Sequence, residues 1–302
     1  MSRYYGRHLP ALYSVRFSDS GKCRFVMDNR NGDYISRIEI KAMWGHKHIV
    51  WNLRPDVNIL SGVNGAGKST ILNMVADQLD LLRTGAASNS EEQNVSFVFA
   101  PEEAEMVEYD VIRSIDRPLL RSNLMDKIAD SNALTELDLQ IYSLQRRYLD
   151  YQVNVGNRTI ECLTSGDPDT VARAAELARP KVMFLDLIDR LFADSGKKIV
   201  RESNDLVFDR FGVRLLPYSL SSGEKQLLVI MLTALVMDGR PCVILMDEPE
   251  VSLDIDWQQQ LIERIREINP NVQIIMTTHS PAVIMNGWMD AVTDVADITV
   301  AE

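Results

Sequence analysis

The segment from Gly62 to Thr70 combines glycines, a lysine and hydroxyl residues at fixed spacing. It matches the pattern G-x-x-x-x-G-K-[ST] at Gly62, Gly67, Lys68 and Ser69. Because glycine lacks a Cβ atom, such a loop wraps closely and points its backbone N–H groups inward. These N–H groups bind phosphates, the lysine reaches the β- and γ-phosphates, and the hydroxyl contacts Mg²⁺. The chemistry predicted for this phosphate loop is nucleotide binding.

The sequence on both sides of the phosphate loop is also what an anion site needs. Asp56 to Leu60 (DVNIL) is typical of a short buried strand. Apolar residues then recur at helical spacing, at Ile71, Leu72, Val75, Leu79 and Leu82. A strand, a glycine loop and a helix N-terminus in that order create an anion site from N–H groups and the helix dipole. The predicted nucleotide-binding residues are Asn64, Gly65, Ala66, Gly67, Lys68, Ser69 and Thr70.

Two adjacent carboxylates follow a second apolar segment, in VILMDEPEVSLD, Val243 to Asp254. The apolar residues predict a buried strand that delivers Asp247 to its C-terminal end, where ligands bind in open α/β sheets. We predict that Asp247 and Ser69 hold Mg²⁺ together. Glu248, one position later, can polarise a water molecule for attack on the γ-phosphate.

Two further segments carry polar groups at element ends. In SLSSGEKQLL, Ser221, Ser222 and Gly223 place hydroxyl and N–H groups at the start of an apolar helix, which makes a second anion-binding terminus. One phosphate loop needs no second anion site within the same subunit. In TTHSP, His279 ends a predicted buried strand at the spacing of a γ-phosphate sensor, although an isolated histidine is more often structural.

The region from Pro101 to Tyr218 has a mainly helical pattern. A first apolar stripe steps by three and four residues, through Leu134, Leu137, Ile141, Leu144, Tyr148 and Tyr151. A second stripe crosses Pro180, through Val171, Ala175, Ala178, Val182 and Leu185. Turn residues between Val153 and Thr170 predict the connection of a helical hairpin. The first stripe fits packing within this lobe or a coiled-coil contact between subunits.

Shorter elements are predicted around these segments. YISRIEIKAMW and HIVWNL alternate like paired strands, and VSFVFA is typical of a buried strand. Lys197 to Leu220 predicts a hairpin that leads to the SLSSGE segment. WQQQLIERIREI predicts a helix, and NVQIIMTTHS another buried strand.

Composition limits the class of protein. The chain has 302 residues, 46% apolar and 25% charged, as is usual for globular proteins. Its net charge of −11 argues against wrapping nucleic acid. Two explanations stay open for Arg113, Arg117, Arg121, Arg146 and Arg147: a local basic strip on the helical lobe, or ordinary solvated charges, which are the more common case. Three scattered cysteines predict neither a zinc site nor a disulfide framework. No apolar run approaches the roughly 20 residues of a membrane span, so we expect a soluble cytoplasmic protein with no membrane partner.

The ordered motifs resemble those of the ABC ATPase superfamily: the phosphate loop, LSSGE, MDEP, SLD and THS. The resemblance implies an α/β fold, a P-loop NTPase head of ABC type with a mixed sheet, flanking helices and an inserted helical lobe. It covers the catalytic core, about residues 38–281. We expect one ATPase domain over residues 1–302, with an N-terminal extension at 1–37 and the lobe at 102–218.

The resemblance also implies roles and partners. In this family two heads face each other, and each ATP lies between the phosphate loop of one and the signature of the other. The signature segment here is Leu220 to Glu224, so Ser221, Ser222, Gly223 and Glu224 would act in trans in a homodimer or higher oligomer. Glu248 would be the general base, His279 the switch histidine and Ser252 to Asp254 the D-loop. ATP and Mg²⁺ are the implied ligands.

Departures from the family pattern indicate which branch of the superfamily the sequence resembles. The signature is LSSGE rather than LSGGQ, and Pro249 is followed by Glu250 and Val251 rather than by Thr or Ala and Ser. No glutamine follows VSFVFA at the Q-loop position; the candidates elsewhere are Gln93, Gln140 and Gln145. These features resemble the RecF/SMC-like branch, particularly the compact ATPases of bacterial phage-defence and overcoming-lysogenization systems.

Three functions follow from the resemblance. The first is an ATPase whose ATP-driven head dimerisation gates an effector protein encoded nearby, such as a nuclease, in phage defence or genome maintenance. Nucleic acid would then be an indirect partner. The second is a RecF-like repair clamp that acts on DNA directly. The third is the nucleotide-binding subunit of a membrane transporter, which the signature and the missing glutamine disfavour.

Overall fold

The computed structural model describes residues 14–17, 23–26, 31–85, 94–114, 135–165 and 169–300. Its strands are β1 Ser14–Phe17, β2 Cys23–Val26, β3 Asn31–Gly32, β4 Tyr34–Met43, β5 Lys47–Asn52, β6 Val57–Ser61, β7 Val95–Ala100, β8 Met106–Val107, β9 Tyr109–Arg113, β10 Lys197–Ile199, β11 Phe208–Arg210, β12 Val213–Leu215, β13 Cys242–Asp247, β14 Val272–Thr277, β15 Val292–Asp294 and β16 Thr299–Val300. Its α-helices are α1 Lys68–Thr84, α2 Glu136–Thr164, α3 Thr170–Leu191, α4 Ser222–Val236, α5 Ile255–Ile268 and α6 Pro281–Met285.

The central sheet is parallel and has the strand order β15-β6-β14-β13-β9. Helices cover both of its faces, so alternate residues of β13 enter different cores. Val243 and Leu245 pack with α1 and the second sheet, whereas Ile244 and Met246 pack with α2, α4 and α5. This two-sided burial explains why the strand is a continuous apolar run. All five carboxyl ends lie at one edge, where the site residues follow β6, β13 and β14.

A second sheet has the order β16-β5-β4-β7 and pairs antiparallel throughout. The predicted pairing of YISRIEIKAMW with HIVWNL is confirmed by β4 and β5. VSFVFA does form a strand, β7, but the prediction that it is buried is wrong: it lies at the sheet edge and Val98 is 43% exposed. An edge strand alternates between core and solvent because only one of its faces is covered.

The helical lobe is built from α2 and α3, which pack against each other and against the signature helix α4. Most of the first predicted stripe is its core: Leu137, Ile141 and Leu144 are all nearly inaccessible within a single chain, and Leu134 lies outside the described residues. The structure therefore assigns this stripe to packing inside the lobe rather than to a coiled coil between subunits. Tyr148 and Tyr151 continue the same buried face.

The lobe helices differ in detail from the predicted hairpin. α2 continues through most of the segment expected to be a connection and ends at Thr164, because its buried face extends to Val155. α3 runs through Pro180 without a break. The predicted second stripe is largely wrong, since Val171 and Val182 are exposed and the buried face of α3 is instead formed by Ala174, Phe184, Leu185, Leu187 and Ile188.

Two predicted segment boundaries also differ from those in the structure. Residues 34–37 belong to β4, which pairs with β5 and β7, so they are part of the head and not of an extension ending at residue 37. β9 is a strand of the central sheet beside β13, so the lobe cannot begin at residue 102. β9 has only five residues, too few for its periodicity to show against the helical pattern that follows. The predicted hairpin between Lys197 and Leu220 is a three-stranded sheet, β10-β11-β12.

Within the described parts of the chain, no helix is both long enough and apolar enough to cross a membrane.

Candidate functional site

The phosphate loop connects β6 to α1 through backbone conformations that favour glycine. Gly62, Gly65 and Gly67 have φ angles of 145°, 81° and 108°. A Cβ atom on Gly67 would also lie 2.9 Å from the ring of Trp44, so that ring would have to shift to admit a side chain. The first turn of α1 contains no acidic residue, so the positive end of its dipole stays uncompensated. This geometry is a cradle for anionic groups.

Lys68 lies inside the loop that it follows. It is 5% exposed, and its Nζ donates to the backbone oxygens of Gly62 at 2.9 Å and Val63 at 3.3 Å. The ammonium group is therefore held at the centre of the cradle. Asn64 and Ser69 are exposed along the loop, and Thr70 is half-buried.

Ser69 and Asp247 meet across the carboxyl edge of the sheet. The Ser69 hydroxyl donates to Asp247 Oδ1 at 3.0 Å. Thr277, paired with Asp247 in the register of β13 and β14, donates its hydroxyl to the same oxygen at 2.6 Å. A hydroxyl and a carboxylate at contact distance suit Mg²⁺, which takes few protein ligands and completes its shell with phosphates and water. The described residues contain no cluster of three or more His, Cys, Asp or Glu side chains that would favour another metal.

Glu248 occupies a strained turn directly after β13. Its φ is 47°, a conformation uncommon outside glycine. The turn is held because the Glu248 N–H donates to the backbone oxygen and hydroxyl of Thr277, at 3.2 and 3.0 Å. The Glu248 carboxylate lies 3.3 Å from Nε2 of His279, and the two side chains are 37% and 42% exposed. The structure thus brings the predicted base and the predicted sensor together beside Asp247.

The signature segment begins α4 with a reciprocal cap. The Ser221 hydroxyl accepts from the Glu224 N–H, and the Glu224 carboxylate accepts from the Ser221 N–H at 2.9 Å. Glu224 is buried and also bonds to Lys197, at 2.7 Å, and to Ser195. Burial alone would raise the pKa of this carboxyl, but the hydrogen bonds from Lys197, Ser221 and Ser195 lower it below the ordinary value.

The sequence predicts that Glu224 faces a partner's nucleotide, whereas the structure buries its carboxylate against Lys197 and Ser195 of the same chain. It fixes the helix start from behind. Ser221, Ser222 and Gly223 are left as the candidates for contact in trans. Within the described parts of the chain, the side-chain hydrogen bonds of Ser221 and Glu224 run to each other and to Ser195 and Lys197, and none reaches the phosphate loop.

Three residues at the site were missed by the sequence argument. Trp44, in the turn between β4 and β5, lies against Gly67, is half exposed and carries Lys47 Nζ 5.0 Å from its ring. Thr277 supports both Asp247 and Glu248. Glu250 is buried and contacts the His279 turn. The only sequence signals were an aromatic residue in a turn before the phosphate loop and the unusual acid after Pro249.

The Q-loop role stays unassigned. Gln140 donates to the backbone oxygen of Arg113 at 3.1 Å, and Gln145 accepts from the Tyr218 hydroxyl at 3.1 Å. Both amides therefore support the lobe. Gln93 lies outside the described residues.

The proposed basic strip is reduced in the structure. Arg147 forms an ion pair with Asp110, so its charge is locally compensated. Arg146 donates to the Tyr142 hydroxyl at 2.8 Å, and its guanidinium lies over that ring. Arg117 and Arg121 lie outside the described residues. Arg113 is exposed at the end of β9.

A family model matches the part of the chain that contains the second half of the site. The model described as "AAA domain, putative AbiEii toxin, Type IV TA system" matches residues 172–286. This range contains the signature segment, Asp247, Glu248 and His279. The phosphate loop lies outside it.

Relatives among curated proteins are named as ATPases or ATP-binding subunits. A "Retron Ec83 probable ATPase" from Escherichia coli is 37% identical over 101 residues, 30% of this chain and 18% of that protein. A "Retron Vc95 probable ATPase" from Vibrio cholerae is 32% identical over 92 residues, 26% of this chain and 18% of that protein. The "Phosphate import ATP-binding protein PstB" of Pyrococcus furiosus is 38% identical over 66 residues, 22% of this chain and 25% of that protein. The matched part of the chain thus spans less than a fifth of the full length of each retron relative.

Among solved structures, "SmcHead bound to the C-winged helix domain of ScpA" aligns with 84% of this chain and 91% of that chain, at 14% identity and a TM-score of 0.47. At that score the likeness supports no further conclusion. The parallel sheet, the loop between β6 and α1 and the carboxylate at the end of β13 define the fold class by themselves. This is an α/β P-loop NTPase head with an added helical lobe, as predicted. The predicted resemblance to an ABC-type, SMC-like ATPase similar to those of bacterial defence systems is confirmed.

Proposed function

We propose that this chain binds ATP with Mg²⁺ and hydrolyses it to ADP and phosphate. The observation that carries the proposal is the contact of Ser69 with Asp247, with the Glu248 and His279 pair beside it. These groups come from three separate segments of the chain. A purely structural ion pair would not need the glycine cradle and Lys68 next to it.

Each residue of the site has a role in this reaction. The N–H groups of Asn64 to Thr70 bind the phosphates, and Lys68 compensates the charge of the β- and γ-phosphates. Glu248 accepts a proton from the attacking water, which turns the water into a better nucleophile. His279, whose Nε2 lies 3.3 Å from the Glu248 carboxylate, would orient the γ-phosphate relative to Glu248. The exposed ring of Trp44 beside Gly67 offers an apolar surface for the base of the nucleotide.

Ser69 and Asp247 would hold Mg²⁺. When bound, this ion neutralises charge on the β- and γ-phosphates. The hydrogen bond from Thr277 orients the Asp247 carboxylate towards Ser69. This orientation places two oxygen ligands at one point before any phosphate arrives.

The hydrolysis proposal is tested with two variants, one that removes the charge at the phosphates and one that removes the catalytic base. Lys68→Ala removes the charge at the phosphates and should lower kcat/KM about 100-fold or more. Glu248→Gln keeps the shape of the side chain but loses the base, so ATP should bind normally while kcat falls at least about 100-fold. Phosphate release and ATP titration by calorimetry measure the two effects. Near-parent hydrolysis by Lys68→Ala would rule out the phosphate-loop assignment.

We further propose that two heads face each other in the cytoplasm and that ATP-driven closure gates an effector protein, such as a nuclease. The support is indirect: Ser221 to Gly223 lie at the start of α4, and the similar retron proteins are named as probable ATPases. Phage defence or genome maintenance is the setting that this resemblance favours.

The effector proposal has its own test. The chain is co-expressed with the proteins encoded by neighbouring genes, and nuclease activity is measured with parent, Lys68→Ala and Glu248→Gln chains. The proposal expects the nuclease to respond to ATP with the parent and to stay in one state with each variant. A permease among the neighbours would instead select the transporter function. ATP-dependent binding of DNA by the purified chain alone would select the repair clamp.

A further inference from the structure

We propose that Glu250 is a positioning residue that sets the place of His279 relative to Glu248. The inference rests on the proposed ATPase function, because it concerns the same site. Glu250 does not reach the reacting groups itself. It acts through the backbone and the neighbouring threonine of the His279 turn.

The geometry is a carboxylate that bridges two loops. Glu250 follows the Glu248 turn and is 6% exposed. Its Oε1 accepts from the Thr278 hydroxyl and from the His279 N–H, the latter at 3.0 Å. The Ser280 N–H in turn donates to the Thr278 hydroxyl at 2.9 Å. One carboxylate oxygen therefore fixes the start of the turn that carries His279.

The second carboxylate oxygen shows that this arrangement lowers the stability of the folded state. Glu250 Oε2 is buried with no hydrogen-bond partner among the described residues, and no described cation forms an ion pair with the carboxylate. Burying a charge without compensation is unfavourable. A costly group that also orders a site residue is what functional placement predicts.

A second bridge ties the same two loops together. Gln258 on α5 donates to the backbone oxygens of Leu253, at 2.7 Å, and Glu250, at 3.3 Å. Its side-chain oxygen accepts from the Ser280 hydroxyl at 2.6 Å. Gln258 thus joins the turn between Glu250 and Leu253, which leads into the D-loop, to the His279 turn. Glu250 makes the other connection between the same two turns.

The consequence concerns the rate of hydrolysis rather than nucleotide binding. His279 and Glu248 are both partly exposed, so packing does not fix their side chains. Their 3.3 Å separation depends on where the His279 backbone is held. The phosphate loop, Ser69 and Asp247 make no contact with Glu250 among the described hydrogen bonds, so ATP binding has no direct route to it.

The test compares Glu250→Ala and Glu250→Gln with the matched control Glu263→Ala, an exposed glutamate on α5. Glu250→Ala should lower kcat about 10- to 100-fold, because the His279 turn loses its acceptor. KM for ATP and the ATP dissociation constant should stay within about threefold of the parent. Glu250→Gln should recover most of kcat, since its amide oxygen can accept the same two hydrogen bonds. The control should match the parent.

Two further measurements separate positioning from loss of fold. In a His279→Ala background, Glu250→Ala should lower kcat by less than about twofold more, because both changes act on one group. Amide hydrogen exchange at His279 should be about tenfold faster or more in Glu250→Ala, while exchange in β13 is unchanged.

The outcomes also separate this inference from the ATPase proposal. A parent rate for Glu250→Ala, or fully additive effects with His279→Ala, overturns the positioning role. Unchanged exchange at His279 overturns it too, even in a chain that hydrolyses no ATP. A parent chain without ATPase activity, together with faster exchange in the variant, overturns the proposed function and supports the contact.

Discussion

Gly223 lies directly against the backbone of Ser252 within the same chain. A Cβ atom on Gly223 would come to 2.4 Å from the Ser252 carbonyl oxygen, a distance that no side chain tolerates. The signature helix and the D-loop therefore touch where the helix begins. In facing heads both segments would contact the partner, so their mutual packing fixes two contact surfaces as one unit.

Gly223→Ala tests this contact. The added methyl group must push Ser252 or the start of α4, because the obstacle is backbone. We expect ATP binding through the phosphate loop to remain and hydrolysis to fall about 10- to 100-fold, since displacement by a fraction of an ångström misplaces reacting groups. Steady-state ATPase assays and ATP titration measure this. Unchanged hydrolysis would mean that the contact relaxes without functional effect.

The composite site between two heads is tested by complementation. Ser222→Arg fills the space in front of the signature helix with a long side chain, so it should block turnover while leaving ATP binding largely intact. Lys68→Ala damages only the phosphate loop of its own chain. A mixture of the two should recover up to one working site per mixed dimer. The expected result is activity in the mixture above the sum of the separate variants.

The concentration dependence of hydrolysis is the control for that mixture. If heads separate freely, the parent rate per chain should rise with protein concentration. Full activity of Ser222→Arg at a dilution where only monomers exist would contradict a site completed in trans. Light scattering at each concentration gives the oligomeric state.

The core of the lobe is tested with a matched pair on α2. Ile141 is 0% exposed between α2 and α4, whereas Val153 is 61% exposed. Ile141→Ala should lower the free energy of unfolding by about 3 kcal/mol, and Val153→Ala should change it by less than about 0.5 kcal/mol. Urea unfolding measures both. A change in oligomeric state without a loss of stability for Ile141→Ala would instead support a coiled-coil contact between subunits.

Much of the head was predictable because its signals are local. The phosphate loop needs glycine at positive φ, and β13 and β14 are apolar throughout because both of their faces are covered. Such features appear within a few adjacent residues. The meeting of Ser69 with Asp247 followed from the rule that parallel strands present their carboxyl ends at one edge.

The remaining features depend on contacts between distant segments. Glu250 looked only like a departure from a motif, because its partners Thr278 and His279 lie on another strand end. The motif alone predicts a nucleotide contact for Glu224, because its ion pair with Lys197, 27 residues earlier in the chain, is not visible in the sequence pattern. The exposed face of α3 is hard to tell from its buried face in the sequence, since alanines occur on both: Ala174 is buried and Ala175 is exposed.

The pairing of Glu224 with Lys197 predicts how stability depends on pH. Hydrogen bonds from Lys197, Ser221 and Ser195 lower the pKa of Glu224 below its ordinary value of 4.5, although burial opposes them. A lowered pKa in the folded state means that the carboxylate contributes stability above pH 4.5 and loses it as the pH falls through the folded value.

Glu224→Gln leaves Lys197 buried without its counter-charge, so at pH 7 the variant should be less stable by about 3 kcal/mol. The gap between parent and variant should be constant from pH 7 to about 5.5 and narrow below pH 4.5, as urea unfolding at each pH measures. The exposed control Glu263→Gln should show little gap at any pH, and a gap for Glu224→Gln that persists to pH 3 would show that the charge of Glu224 is not what stabilises the helix start.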